Sequence, residues 1–234
     1  PFANTVIEIG PGPGGLTRAL LLEGAKQVIA VEKDRRVIGF LEHLVTAADG
    51  RLSVIEADAL AKPVWELGAA PRQIIANLPY NIATTLLLQW LEHAASFTSF
   101  ILMFQKEVAM RITASPGDSA YGRLSIITQW RAEADTIFDI PPEAFIPPPK
   151  ITSTVVRLIP RAKPLADCQQ ADLEKVTAIA FGQRRKMLRA SFKKYGGAAF
   201  IEEAGLEPSS RPQEVPIEGF CALARLFHQH QKTR

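Results

Sequence analysis

Residues Val6 to Leu16 read VIEIGPGPGGL. A short β-rich run over Thr5–Ile9 ends in glycine, and apolar residues resume at helical spacing over Gly15–Glu23, so the stretch is a strand, a tight turn and a helix start. Within it lies G-x-G-x-x-G. Gly10 permits the turn after the strand, Gly12 lets backbone approach a ligand, and Gly15 is expected to allow close helix packing. A turn of this kind marks a nucleotide site, and the open question is which nucleotide it serves.

Outward from that turn the pattern repeats. Val28–Val31, ending in Glu32, reads as a second buried strand, Arg35–Ala47 as a helix, Leu52–Glu56 and Gln73–Ala76 as two more strands, Ile82–His93 as a helix and Ser99–Phe104 as a fifth strand. This alternation implies an α/β fold, a parallel sheet covered on both faces, with ligands bound beyond the carboxyl ends of its strands. Arg123–Trp130 and Thr154–Ile159 are β-rich without a helical pattern between them, and are expected to form an antiparallel hairpin at one edge. From Leu165 to Arg234 the patterns are helical, broken at Gly196-Gly197 and Pro208, so residues 1–160 are expected to form the ligand-binding domain and 161–234 a small helical domain.

The bulk properties bound the function. The chain has 234 residues, 47% hydrophobic and 22% charged, the composition of an ordinary globular protein. No apolar run approaches the roughly 20 residues of a membrane span, so no membrane partner is expected. Cys168 and Cys221 are too few for a disulfide framework, which favours a reducing compartment, a cytoplasm. His43, His93, His228 and His230 lack ligand spacing, and no metal is expected. The net charge is +3 and the pI about 9.0, which suggests an anionic partner. The chain begins without Met and only a few residues before the first strand, so a natural N-terminal segment is expected upstream.

The chemistry-bearing residues lie at strand ends. Glu32 can take both hydroxyls of a ribose, a feature that fits NAD, FAD and S-adenosylmethionine equally. Glu8, two residues before Gly10, suits the ammonium of a methionine moiety better than a pyrophosphate, which it would repel. Asp58, after the third strand, can accept the amino group of an adenine. Asn77-Leu78-Pro79-Tyr80 follows the fourth strand. The exocyclic amine of a nucleobase is a poor nucleophile because its lone pair is delocalised into the ring. The Asn77 amide oxygen and the Leu78 carbonyl can accept its two protons and aim that lone pair at an electrophile, Pro79 stiffens the turn, and Tyr80 offers a face for base stacking. The plainer alternative is a turn in which Asn77 caps the next helix.

These motifs resemble those of the ribosomal-RNA adenine N6-dimethyltransferase family. The resemblance covers nearly the whole chain: EIGPGPGG, Glu32, the Asp58 segment, NLPY, Gln105–Arg111, Tyr121–Ser125, and Phe145–Ser153 (FIPPPKITS). It implies a class I methyltransferase sheet, S-adenosylmethionine as cofactor, and small-subunit ribosomal RNA as partner, with two adjacent adenines near its 3′ end as targets. It implies further that Phe145 closes on the target adenine opposite Tyr80, and that the protein is a monomer. The run Phe181–Arg189 (FGQRRKMLR) resembles the small-subunit enzymes rather than the erythromycin-resistance ones. The family's upstream Q-N-F-L motif is absent, so the chain alone is expected to bind adenosine-type ligands yet transfer methyl groups slowly. Arg184, Arg185, Lys186, Arg189, Lys193 and Lys194 form a segment without an acid, expected to be a helix that meets RNA phosphates over a buried stripe of Phe181, Leu188 and Phe192. Two rivals remain, a nicotinamide or flavin oxidoreductase and a relative that binds ribosomal or transcription particles without catalysis.

Overall fold

The structure is a computed structural model that describes residues 2–232. Its seven-stranded sheet has the order β3-β2-β1-β4-β5-β7-β6, built from β1 (Thr5–Ile9), β2 (Val28–Glu32), β3 (Leu52–Glu56), β4 (Arg72–Asn77), β5 (Phe97–Gln105), β6 (Ala132–Ile140) and β7 (Ser153–Pro160). The first five strands pair parallel; β7 pairs antiparallel with β5. Helices α1 (Gly15–Leu22), α2 (Arg35–Ala47) and α3 (Tyr80–Glu92) connect them. β1 is buried along its whole length, as a central parallel strand covered on both faces must be. The strand order reverses between β1 and β4, and at such a reversal the connections leave on opposite faces and open a crevice at the strand ends.

Chain contacts divide the molecule into two units. One comprises the N-terminal residues to Ala109 together with Ala134–Pro160; the other comprises Met110–Glu133 and the chain from Arg161. The second unit contains α5 (Arg123–Arg131), α6 (Gln170–Phe181), α7 (Leu188–Ser191), α8 (Ala198–Glu203) and α9 (Ile217–Lys232), while α4 (Lys106–Thr113) runs across the boundary in sequence. Its core gathers Tyr121, Ile126, Trp130, Leu173, Phe192, Phe200 and Phe220. Contacts thus group Met110–Glu133 with the C-terminal helices, and its apolar residues Tyr121, Ile126 and Trp130 are buried in their core.

The same segment corrects the expected edge hairpin. Arg123–Trp130 is a helix, α5, with Ile126, Ile127, Thr128 and Trp130 all buried. A short helix buried on most sides shows no amphipathic period, and its β-branched residues read as a strand. What fixes the helix is non-local. The Ser125 hydroxyl accepts from the Gly122 N–H at 3.1 Å and donates to the Arg111 carbonyl at 2.6 Å, and the Gln129 amide donates to the Ile112 and Ala114 carbonyls at 2.9 and 2.8 Å. These bonds satisfy backbone oxygens at the end of α4 that burial would otherwise leave unpaired. The edge strand is instead β6, whose sequence AEADTIFDI hides its strand character behind acids. Asp139 accepts from Lys106 Nζ at 2.7 Å and from the Thr154 hydroxyl at 2.6 Å, and Asp135 accepts from Arg157 at 3.2 Å. Charges on an edge strand discourage pairing with another chain.

The glycine turn also differs from its expected division of labour. Gly10, Gly12 and Gly14 all have positive φ, at 66°, 55° and 88°. Gly14 is the residue that permits close packing: a Cβ there would lie 2.4 Å from Leu44 Cδ1 and 2.8 Å from Leu41 Cδ2, whereas at Gly15 it would meet nothing within 4 Å. Gly15 is simply the first residue of α1. Gly14→Ala is therefore expected to lower the unfolding free energy by roughly 2–3 kcal/mol, combining left-handed backbone strain with overpacking against α2. Gly15→Ala should be neutral or stabilising by up to about 1 kcal/mol, because alanine is the better helix former. Urea unfolding of both variants, with equal losses, would contradict this assignment.

Candidate active site

The site sits at the carboxyl ends of β1, β2, β3 and β4. Gly10 leads the chain out of β1, its N–H bonded to the Val31 carbonyl at 2.9 Å, and a Cβ on it would stand 3.9 Å from Pro79 Cδ. The glycine turn and the segment after β4 are thus immediate neighbours. At Gly12 the space where a side chain would project is open, as a backbone that receives a ligand requires.

Glu8 lies beneath this turn, buried within β1 at 2% exposure. One of its oxygens accepts the Thr17 hydroxyl at 2.6 Å. Burial pushes its carboxyl up to about 7, against which the Thr17 bond pulls down. A carboxyl held near neutrality in a dry site is poised to ionise when a cation arrives beside it. Thr17, on α1, was invisible as a partner in the sequence because nothing local connects it to Glu8.

The other two acids are half-buried and already engaged. Glu32 at the end of β2 accepts from the Asp34 N–H at 2.8 Å. Asp58 accepts from Lys33 Nζ at 2.7 Å and from the Leu60 N–H at 3.0 Å, and these two bonds hold its carboxyl below the usual range. Both stand at the strand ends where the sequence put them.

Asn77, Leu78, Pro79 and Tyr80 line a cleft of about 280 Å³ with Met103, Phe145, Pro147 and Pro149. The sequence-derived catalytic set is thereby brought to one place, and Phe145 reaches it from a loop almost seventy residues away. Asn77 ends β4 and is exposed; Leu78 is buried. The helix α3 starts at Tyr80 with Pro79 as its N-cap and no side-chain cap bond, so capping does not account for Asn77. The Tyr80 hydroxyl bonds the hydroxyl of Ser153, a fully buried residue of β7, at 2.6 Å. That bond fixes the ring's position in the cleft wall. Ser153 belongs to the FIPPPKITS run, yet a serine two strands away carries no sequence signal of its tie to Tyr80. A second, apolar cavity of about 360 Å³ shares Asn77, Met103 and Phe145 with the cleft and extends along Ile75, Ile101, Ile137 and Val155.

The basic segment lies in the second unit and is not one helix. α6 ends at Phe181, residues 182–187 form turns, and the short α7 begins at Leu188. The break is enforced from outside, because the N–H groups of Leu188 and Arg189 bond the carbonyls of Ser210 and Pro208 at 2.9 and 3.1 Å instead of the preceding turn. Arg184, Arg185, Lys186 and Arg189 are all exposed, whereas Leu188 and Phe192 are buried and Phe181 half-buried. Arg184 donates to the Ser119 carbonyl. Arg189 shares a polar hollow with Glu202 and Glu207, so acids remote in sequence oppose this end of the segment.

Residues 3–229 match the family model described as ribosomal RNA adenine dimethylase. The chain is similar to proteins named ribosomal RNA small subunit methyltransferase A from Rhodospirillum rubrum, 59% identical over 95% of this chain and 77% of that protein, and from Paramagnetospirillum magneticum, 58% identical over 95% and 79%. Among solved structures it is similar to a dimethyladenosine transferase from Plasmodium falciparum, with a TM-score of 0.79 and 26% identity over 97% of this chain and 90% of that one. It is also similar to the 23S rRNA methyltransferase ErmE, at 0.72 and 26% over 96% and 91%. A match spanning both units, with relatives well above half identical, leaves one conclusion: the chain belongs to the ribosomal RNA adenine dimethylase family.

Proposed function

We propose that the protein transfers methyl groups from S-adenosylmethionine to the N6 atom of adenines in small-subunit ribosomal RNA, twice at each of two adjacent adenines. The observation that carries this reading is the convergence of Asn77, Leu78, Tyr80 and Phe145 on one cleft beside the glycine turn. The two relatives named above, both small-subunit enzymes and more than half identical, favour that substrate over the large-subunit RNA named for ErmE.

The residues fit a cofactor with a cationic, methionine-type end. Gly10 and Gly12 supply the cradle, and Glu8 is a buried carboxylate that a positive charge would satisfy; Glu32 and Asp58 are the candidates for the ribose and the adenine. When bound, the cofactor supplies an electrophilic methyl group. The chain does the rest. Tyr80 and Phe145 hold the target adenine between two rings, which excludes water from the reacting face. The Asn77 amide oxygen and the Leu78 carbonyl accept the two N6 protons and turn the nitrogen lone pair toward the methyl. No dedicated base is needed, since the alkylated nitrogen is acidic enough to lose its proton to the Leu78 carbonyl or to water. Arg184, Arg185, Lys186 and Arg189 serve as phosphate contacts.

The direct test supplies the protein with small ribosomal subunits that lack adenine methylation and with labelled cofactor, then maps the label. Dimethylated adjacent adenines are the expected result; transfer to large-subunit RNA alone would overturn the substrate. Asn77→Ala is expected to reduce single-turnover methyl transfer by at least about tenfold with the fold intact, since a hydrogen bond aimed at a reacting atom contributes roughly 2.7–4 kcal/mol. An unchanged rate would remove Asn77 from the mechanism.

Glu8 predicts a pH dependence. Its folded value, about 7, exceeds its ordinary 4.5. Its contribution to stability is therefore complete below pH 4.5 and is lost as pH rises through 7, a loss of about 3 kcal/mol. Urea unfolding at pH 5 and pH 8 should show this fall in the wild type and its disappearance in Glu8→Gln. S-adenosylmethionine should reverse the sense: a cation beside Glu8 favours the ionised form, so calorimetry should find proton release at pH 6 and tighter binding at pH 8. A pH-independent affinity would place the ammonium elsewhere.

The phosphate assignment predicts that Arg185→Glu with Lys186→Glu weakens binding to small subunits and lowers the magnitude of the salt slope by about 2. Cofactor affinity should not change. A salt titration identical to the wild type would show these residues to be only a solvated surface.

A further inference from the structure

Ile146 is the most exposed large apolar side chain among the described residues, at 101%, against 73% for Leu22 and 67% for Phe40. It follows Phe145 directly. Phe145, Pro147 and Pro149 line the cleft, whereas Ile146 projects into solvent at its rim. An isoleucine left wholly in water forgoes the stabilisation that burial would supply, and among the described residues none covers it. Its backbone is stiff, because Pro147, Pro148 and Pro149 each fix φ, and its β-branched side chain is stiff at χ1. Lys150, exposed at the end of the same loop, carries positive charge to this rim.

An adenine reaches the cleft only by leaving its stack. Extrusion costs the stacking and pairing that the base gives up and leaves a gap between the neighbouring bases. Proteins that unstack nucleic acid insert apolar side chains such as isoleucine into such a gap. Such a wedge has to be apolar, exposed before binding, stiffly held and adjacent to the pocket that receives the base. Resting on the reading of the chain as an RNA adenine methyltransferase, we propose that Ile146 is the wedge that fills the stack vacated by the target adenine while Phe145 closes on the extruded base. The energy scale agrees: burial of one isoleucine is comparable with the unstacking that it offsets. Ile146 is on this account a positioning residue, acting on the neighbours of the reacting base and not on the base itself.

The test compares two RNA stem-loops with adjacent adenines. One is intact; in the other the nucleotide next to the target is abasic, so the target is already unstacked and no gap has to be filled. Single-turnover methyl transfer by Ile146→Ala is expected to fall about tenfold on the intact RNA and less than about twofold on the abasic one, with Ile146→Leu restoring the rate. Thermal midpoint and cofactor affinity should match the wild type, because the side chain is fully exposed. Equal losses on both RNAs would make Ile146 a part of the pocket wall, and equal rates on the intact RNA would make it a bystander; either overturns the wedge. Failure of the wild type to methylate either RNA or small subunits overturns the underlying reading, and the wedge with it.

Discussion

The site depends on the reversal of strand order between β1 and β4. A chain leaving β1 must turn one way into α1, and a chain leaving β4 must turn the other way into α3, so both turns meet above the same sheet end. Backbone from the two turns comes so near that Gly10 and Pro79 are almost in contact. Any side chain on Gly10 would need a positive φ that L-residues resist, and Pro79 must sit where its missing N–H costs nothing, at the N-cap of α3. The glycine turn and NLPY are thus one construction, the two lips of a single crevice.

Tension between precision and access shapes the rest. A base-stacking aromatic is useful only if its plane is fixed, and Tyr80 would otherwise rotate freely as the first residue of a helix. Its bond to the buried Ser153 hydroxyl ties α3 to β7 and orients the ring without covering its face. Phe145 faces the opposite problem. In the proposed function it admits a base and then closes on it, and it sits on an irregular loop after a short 3-10 turn at Pro142–Ala144, stiffened by prolines but free of ladder bonds.

The sequence was most legible where local chemistry and long-range structure agree. The five parallel strands are apolar runs bounded by breakers, and each was found to within about two residues. The glycine turn, NLPY and the strand-end acids stood out because their residue types are unusual where they occur. It failed where tertiary contacts override local pattern. α5 reads as a strand, since Ile126, Ile127 and Thr128 are β-branched and the helix is held by Ser125 and Gln129 bonding to carbonyls at the end of α4. β6 reads as nothing, since its acids find their lysine and arginine partners only after folding. Thr17, Ser153 and the roles of Gly14 and Gly15 depend on distances that no spacing along the chain encodes.

Charge gives the last constraint. Glu8, Glu32 and Asp58 all lie towards the carboxyl ends of adjacent strands, Glu8 buried with its carboxyl raised to about 7 and Asp58 paired with Lys33. Under the proposed function that rim of the sheet receives the cationic end of the cofactor, for which carboxyl groups are better suited than for a polyphosphate. In the proposed function the adenine enters as a neutral ring, held by stacking and by two neutral carbonyl acceptors, so that affinity for a polyanion would come from cations placed elsewhere on the chain. The exposed Arg184, Arg185 and Lys186, the phosphate contacts of the proposed function, stand on a segment of the second unit whose apolar residues, Leu188 and Phe192, are committed to its core.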